Sequence, residues 1–295
     1  HQYDQVVHQH ILPRLGNRKL RDVKPLVIQQ MYNRMVAEGY TFRTIQIVHG
    51  VIHVALVQTM KLGLLPTNPD DATTPPKPIP KEMKFLDEAQ VQQLLITAKA
   101  TGSRFYALFH LAIATGMRQG ELLGLKWSDM DWTNQTLSVA RQLSQLKTGE
   151  YVFNPPKTKA GSRQIDLGSV STEVLREHRK NQFLESVSAP DWNSYDLIFP
   201  SKAGTPMDPG NLRRMYKNLL KDAGLPNIRF HDLRHTAATL MLNKGIPVFI
   251  VSRRLGHAKP SITLDIYGHL IPGQQKIVAS LMDEILTPIQ LMIEK

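Results

Sequence analysis

The sequence predicts a mainly α fold with a small antiparallel β-sheet, arranged as two domains. Three observations point there. Apolar residues recur at helical spacing through most of the chain, strand-like alternation is confined to residues 127–167, and a proline-rich segment separates two helical regions. A length of 295 residues suits two domains, and a hydrophobic share of 42% supplies ordinary cores.

Residues 1–72 read as a helical bundle. Val6, Val7, His10 and Ile11 form a short periodic face that Pro13 should break. Pro25 opens a second helix, with Leu26, Ile28, Met31, Tyr32 and Met35 on one side, and Gly39 ends it. A third helix runs from about Thr41 to Leu62, with Ile45, Val48, Ile52, Ala55, Leu56 and Met60 facing inward. Gly63 closes it and Asn68-Pro69 marks a stop. Lys19, Arg21, Lys24, Arg43 and Lys61 read first as solvated helix faces, with phosphate contact as the alternative. Residues 73–84 form a linker in which four prolines hold the chain extended and three lysines add charge.

The second domain spans residues 85–295. Asp87 with Gln90 has the pattern of a capping box ahead of a helix bearing Val91, Leu94, Leu95 and Ala98. A more apolar helix, Phe105 to Ala114, ends at Thr115-Gly116. Arg118 then opens a helix containing Glu121, Leu122 and Leu125. Apolar runs on both sides make this a poor place for an idle charge, so Arg118 is a site candidate with Glu121 as its orienting partner. Leu137 and Val139, Tyr151-Val152-Phe153, and Arg163 to Leu167 suggest a three-stranded antiparallel sheet, with turns at Asn134 and Thr148-Gly149. Lys157 to Ser162 would be its last hairpin. A helix from Thr172 to Leu184, a short strand from Tyr195 to Phe199, and a basic amphipathic helix from Asn211 to Ala223 follow.

Composition narrows the function. A net charge of +11 favours a polyanionic partner, nucleic acid or an anionic membrane surface. No apolar run approaches the roughly 18 residues of a membrane span, and the basic residues are scattered rather than gathered on one amphipathic helix. Nucleic acid is the better reading. The absence of cysteine excludes disulfides, thiolate chemistry and Cys-ligated zinc, and suits a reducing compartment.

The chemistry-bearing residues concentrate between His231 and Tyr267. His231-Asp232-Leu233-Arg234-His235 is followed by Leu255-Gly256-His257 and by Asp265-Ile266-Tyr267-Gly268-His269. His231 and Arg234, three apart, share a helix face. Arginine forks can hold phosphoryl oxygens, imidazoles can move protons, and a tyrosine hydroxyl can act as nucleophile. Free tyrosine has a pKa near 10, so only about one molecule in a thousand is ionised at pH 7, and full prior deprotonation would cost ~4 kcal/mol. A neighbouring base or cation is therefore needed, and His231 is the candidate base. His231 and His235 also have the i, i+4 spacing of a helical zinc pair. Asp232 stands where a zincin carries Glu, and Arg234 would place a cation beside the metal, so no metal is assigned. His235 reads as a structural helix residue and Asp265 as a local helix contact. His8, His10, His49, His53 and His269 are assigned no role, and the first four read as helix-surface or satisfied core histidines.

In order along the chain, Arg118, the Lys157-Thr158-Lys159 lysines, His231 with Arg234, His257 and Tyr267 resemble the tyrosine recombinase (phage integrase) family. Its pattern runs Arg, Lys, His-x-x-Arg, His or Trp, Tyr. The likeness extends to residues 1–72, which resemble the family's core-binding domain in their Leu-Pro-x-Leu-Gly and Asn-Pro landmarks. The resemblance implies a helical DNA-binding domain joined to a mixed α/β catalytic domain of tyrosine recombinase type. It implies a site-specific recombinase that cuts and rejoins strands through a 3′-phosphotyrosine on Tyr267, without a cofactor. Lys157 takes the family's lysine position, with Lys159 as close rival, and would be the acid for the leaving 5′-oxygen. His257 would hydrogen-bond a phosphate oxygen. The implied partners are double-stranded DNA, further copies of the chain in a dimer or tetramer, and an excision or bending factor; the tail at 274–295 either packs onto its own domain or, as the resemblance suggests, docks into a neighbouring copy. The implied place is the bacterial cytoplasm, at the nucleoid. Because the chain starts at His1 without Met, it is read as an integrase lacking any N-terminal arm-binding domain. The alternatives are a type IB topoisomerase-like nicking and resealing enzyme, or a non-catalytic DNA-binding protein on the same scaffold.

Overall fold

The structure is a computed structural model that describes residues 2–77, 83–146, 148–156, 158–268 and 275–286. Lys157, His269 and the tail residues 287–295 lie outside the described residues. The chain divides into two compact units, His1–Glu82 and Met83–Lys295.

In the first unit, α1 (Gln2–Val6) runs through a π-helical turn at Val7–Ile11 into α2 (Leu12–Leu15). Pro13 was expected to break this helix and instead sits inside it. The N–H of Leu12 reaches back five residues to the Val7 carbonyl, and this wider turn admits the proline ring in the first turn of α2. Two longer helices follow, α3 (Pro25–Ala37) and α4 (Phe42–Lys61), the latter capped by the Thr41 hydroxyl, which accepts from the Thr44 N–H at 3.1 Å. Ile28, Met31, Tyr32 and Met35 of α3 pack on Ile45, Val48, Ile52 and Leu56 of α4. Met60, expected to face inward, is exposed.

A buried carboxylate fastens the end of this bundle. Asp70 accepts from the Tyr32 hydroxyl at 2.9 Å and the Thr73 hydroxyl at 2.8 Å, and its other oxygen lies 2.9 Å from His49 Nδ1. Two segments distant in sequence, α3 and α4, thus converge on one side chain.

The second unit begins with α5 (Glu88–Ala100), whose Asp87–Gln90 capping box forms reciprocally at 2.8 and 3.0 Å. The apolar α6 (Tyr106–Thr115) and the short α7 (Gln119–Leu123) follow. Five strands come next: β1 (Met130–Asp131), β2 (Thr136–Val139), β3 (Gln142–Gln145), β4 (Tyr151–Asn154) and β5 (Arg163–Asp166). The expected single three-stranded sheet is in fact two pieces. β1, β2 and β5 form an antiparallel sheet with Leu137 opposite Ile165, while β3 and β4 form a separate hairpin with Leu143 opposite Phe153. The reason lies in α7. Cβ atoms on Gly120 and Gly124 would come within 2.9 Å and 3.0 Å of the Leu143 backbone, so these glycines let β3 leave the sheet and lie on α7. The expected strand at Tyr195–Phe199 reduces to one bridge, Lys126 with Leu197.

Among the described residues, six helices complete this unit: α8 (Ser169–Ser188), α9 (Pro209–Asp222), α10 (Asp232–Asn243), α11 (Val248–Leu255), α12 (Pro260–Tyr267) and α13 (Gln275–Leu286). The main core joins Leu108, Phe109 and Leu111 of α6 to Leu137, Ile165, Leu212 and Tyr216. A smaller core gathers Ala238 and Leu242 of α10, Val251 and Leu255 of α11, and Tyr267. None of the described helices is long and apolar enough to cross a membrane.

Asp70→Ala should remove the 2.9 Å acceptor of the buried Tyr32 hydroxyl, leaving it only His49 Nδ1 at 3.2 Å, and lower stability by about 1–3 kcal/mol. Urea unfolding of the variant beside wild type reads this out as a fall in midpoint at unchanged slope.

Candidate active site

The site is assembled where helices α6 and α11 end. Each ends at a left-handed glycine, Gly116 at φ 64° and Gly256 at φ 73°. Both glycines also permit close approach. A Cβ on Gly116 would sit 2.4 Å from Leu255 Cδ2, and one on Gly256 would sit 2.7 Å from Arg163 Nη1. Arg234, on α10, threads between these two ends. Its Nη1 donates to the Gly116 carbonyl at 2.8 Å and to the Leu255 carbonyl at 2.7 Å. The residue is 3% exposed, and its Nη2 is buried with no protein partner. Burial, with Arg118 nearby, pulls its pKa down to about 10, which still leaves it charged at neutral pH.

Arg118 precedes α7. Glu121 accepts from its backbone N–H at 3.0 Å and from Nη1 at 2.9 Å, which fixes the guanidinium while its side chain stays 40% exposed. A third arginine, Arg163 at the head of β5, donates to the same carboxylate at 3.1 Å. It also donates to the Arg254 carbonyl at 2.7 Å and the Gly161 carbonyl at 3.0 Å. Burial works to raise the Glu121 carboxyl, but the adjacent Arg163 guanidinium and the hydrogen bonds from both arginines outweigh it, so the group sits below its ordinary range. Arg254 donates to the Ala114 carbonyl at 2.9 Å and so supports the end of α6.

Sequence reasoning read Arg163 only as a strand residue. The signal was there, because period-two alternation puts it on the same face as the buried Ile165 and Leu167. An arginine on a core face needs partners, and it has three.

The histidines surround this arginine cluster. His257 Nδ1 lies 2.7 Å from the Thr263 hydroxyl, and burial, then Arg234, Arg118 and Arg163, depress its pKa to about 4. His231 is also held down to about 4, first by burial and then by His235 and Arg234. Its ring meets that of His235 edge-to-face at 5.4 Å. Among the described residues, no third His, Cys, Asp or Glu joins them in a group that could hold a metal.

Tyr267 is 1% exposed at the end of α12. Burial raises its hydroxyl to about 12, against the opposing pull of Arg234. The hydroxyl lies 2.8 Å from His235 Nδ1 and makes no hydrogen bond to His231, the expected base. His235, read as a structural helix residue, is therefore the imidazole in contact with it. Asp265, expected to make a local helix contact, is exposed on α12. The structure thus brings Arg118, Arg234, His231, His257 and Tyr267 into one neighbourhood. Lys157 is outside the described residues. Lys159 is exposed, at the start of a short 3-10 turn (Lys159–Gly161) anchored to Arg163 through the Gly161 carbonyl.

The Glu121 carboxyl carries a pH prediction. Its folded pKa lies below the ordinary 4.5, so the stability it contributes is present above pH 4.5 and is lost as pH falls through the folded value. Unfolding free energy measured between neutral and acid pH should fall less steeply in that window for Glu121→Gln than for wild type.

Comparison with known proteins places these observations. The model of the phage integrase family matches residues 84–273, and that of the phage integrase N-terminal SAM-like domain matches residues 1–36. A tyrosine recombinase XerC-like protein of Caldanaerobacter subterraneus subsp. tengcongensis is 33% identical over 292 residues, covering 92% of this chain and 73% of that protein. The transposase from transposon Tn916 of Enterococcus faecalis is 28% identical over 268 residues, covering 87% of this chain and 65% of its own length. Among solved structures, the Tn1549 transposon integrase in complex with transposon right end DNA superposes with a TM-score of 0.81 at 21% identity, over 96% of this chain and 91% of that one. A lambda integrase dimer bound to a core site gives 0.64 at 23% identity, over 88% of each chain. Family match, sequence likeness and shared fold agree: the chain belongs to the phage integrase family, that of the tyrosine recombinases.

Proposed function

We propose that the protein is a site-specific DNA recombinase that integrates or excises a mobile element through a 3′-phosphotyrosine at Tyr267. The observation that carries this reading is the Arg234 guanidinium. It is held by two carbonyls, is 3% exposed, and keeps Nη2 buried without a protein partner. A buried cationic donor left open in a cluster of arginines and imidazoles fits an incoming phosphoryl oxygen.

In the proposed reaction the Tyr267 oxygen attacks a backbone phosphorus and the bond to the 5′-oxygen breaks. A 5′-hydroxyl later attacks the phosphotyrosine and frees the tyrosine. One phosphodiester is exchanged for another, so no nucleotide cofactor is needed. Negative charge grows on the non-bridging oxygens in the transition state, where Arg234 and Arg118 would each present donors. In the tautomer whose Nδ1 accepts from the Thr263 hydroxyl, neutral His257 carries its proton on Nε2 and would donate it to a phosphate oxygen. His231 would add a neutral imidazole at the open side of the cluster. The leaving 5′-oxygen would take its proton from the ammonium group of Lys157 or Lys159.

Double-stranded DNA is the proposed partner. The +11 charge supports it, as do the DNA-bound Tn1549 and lambda integrases that share the fold. The helical unit would be the core-binding domain and the unit from Met83 the catalytic one. Assembly as a dimer or tetramer is proposed from lambda integrase, solved as a dimer on a core site and as a tetramer on a Holliday junction. α13 offers a surface for it, with Val278, Leu281, Met282, Ile285 and Leu286 exposed at helical spacing.

The test is covalent capture. The protein is incubated with a pool of nicked duplexes randomised around the nick, and adducts are isolated under denaturing conditions and mapped by mass spectrometry. Wild type should yield a nucleotide adduct on Tyr267, and Tyr267→Phe should retain DNA binding and yield none. An adduct that persists in the Phe variant, or none from wild type, would overturn the proposal.

A further inference from the structure

The tyrosine proton needs an acceptor, and the sequence pattern offered His231. The geometry points elsewhere: we propose that His235 Nδ1 accepts the proton of the Tyr267 hydroxyl during strand cleavage, which makes His235 a catalytic residue. This rests on Tyr267 being the nucleophile.

Contact comes first. The hydroxyl and Nδ1 are 2.8 Å apart, within the 2.5–3.2 Å span of good hydrogen bonds, and the two rings lie 5.6 Å apart. In the neutral tautomer that carries its proton on Nε2, Nδ1 is a free acceptor, so the Tyr267 O–H donates and Nδ1 accepts. His231 has no such contact and instead packs its ring edge-to-face on His235.

Placement comes second. His235 directly follows Arg234 on α10, and the Arg234 main chain is fixed by the same rigid helix. The proposed acceptor and the guanidinium proposed to hold the phosphoryl group therefore keep a constant relation. Tyr267 arrives on a different helix, α12. When the site opens to admit DNA, acceptor and anion site stay registered while the nucleophile adjusts.

Electrostatics agree. The groups around the His235 ring are Asp232, His231 and Arg234 on its own helix, Arg229 just before it, His257 after α11, and Tyr267 on α12. Burial, aided by Arg229 and Arg234 and opposed by Asp232, holds the imidazole below its usual range, so it is neutral and able to accept at pH 7.

The step balances. The tyrosine O–H bond breaks and its proton passes to Nδ1, giving an imidazolium. The phenolic oxygen bonds to phosphorus, the bond to the 5′-oxygen breaks, and that oxygen takes a proton from the ammonium group of Lys157 or Lys159. In resealing, the 5′-hydroxyl returns its proton to the amine, attacks phosphorus, and the departing phenolic oxygen recovers its proton from His235.

The test uses His235→Asn, whose Oδ1 stands near the place of Nδ1 and accepts a hydrogen bond but is not a base. Rates of adduct formation are measured in single turnover on a duplex recovered from the covalent-capture pool, beside DNA affinity and thermal unfolding. A positioned base contributes about 10²–10⁴-fold. His235→Asn should therefore bind DNA and unfold like wild type yet form adduct at least about tenfold more slowly. Its rate should climb roughly tenfold per pH unit between about pH 7 and 9 as phenolate accumulates, where wild type stays flat. His235→Gln repeats the measurement if the Asn variant fails to fold. Wild-type rate and pH profile in a folded variant would overturn the inference alone. Wild-type adduct mapped to a residue other than Tyr267 would overturn the underlying reading and the inference with it.

Discussion

One buried cation organises the second unit. Arg234 is 3% exposed, and an uncompensated charge at that depth would be strongly destabilising. Two carbonyls compensate it, Gly116 at the end of α6 and Leu255 at the end of α11. Both belong to helix C-termini, where unpaired carbonyls and the negative end of the helix dipole favour a positive group. The two left-handed glycines at these ends follow from the same demand. They turn the chain sharply enough to aim the carbonyls, and they leave no Cβ to push α6 from α11. Arg254 ties the two ends together again through the Ala114 carbonyl.

A second ionic centre sets what surrounds this cation. Glu121 joins Arg118 to Arg163, and Arg163 carries the constraint onward to the Gly161 turn and to the Arg254 carbonyl. One carboxylate thus relates an arginine near α7, the 3-10 turn that begins at Lys159 and the approach to His257. The price of so much positive charge falls on the imidazoles: burial and the nearby arginines keep His231 and His257 neutral, with pKa values held to about 4. They are available as hydrogen-bonding groups at neutral pH, while the permanent charge stays on the guanidiniums.

Much of this was legible from spacing. Helical periodicity placed α3, α4 and α9 within a few residues, and the Asp87–Gln90 box marked the start of α5. Arg118 beside Glu121 stood out because a charge lay between apolar runs, and His231 three residues before Arg234 because that spacing puts both on one helix face. What escaped was set by contacts between distant segments. Strand alternation could not show that β3 and β4 leave the sheet, because that depends on two glycines of α7 presenting a flat surface to Leu143. Nor could it show that Pro13 is absorbed by a π-helical turn. His235 looked like a spare helix residue because its partner is 32 positions away on another helix.

The central claim is that Arg234 holds its open donor for the charge of a phosphoryl oxygen. Charge compensation tests it directly. Arg234→Ala is assayed for adduct formation on two otherwise identical captured duplexes, one with an ordinary phosphate at the cleaved position and one with a neutral methylphosphonate there. If the guanidinium serves to offset that oxygen's charge, the variant fails on the phosphate and regains cleavage on the methylphosphonate. Failure on both duplexes by a variant that folds and binds DNA would contradict the account.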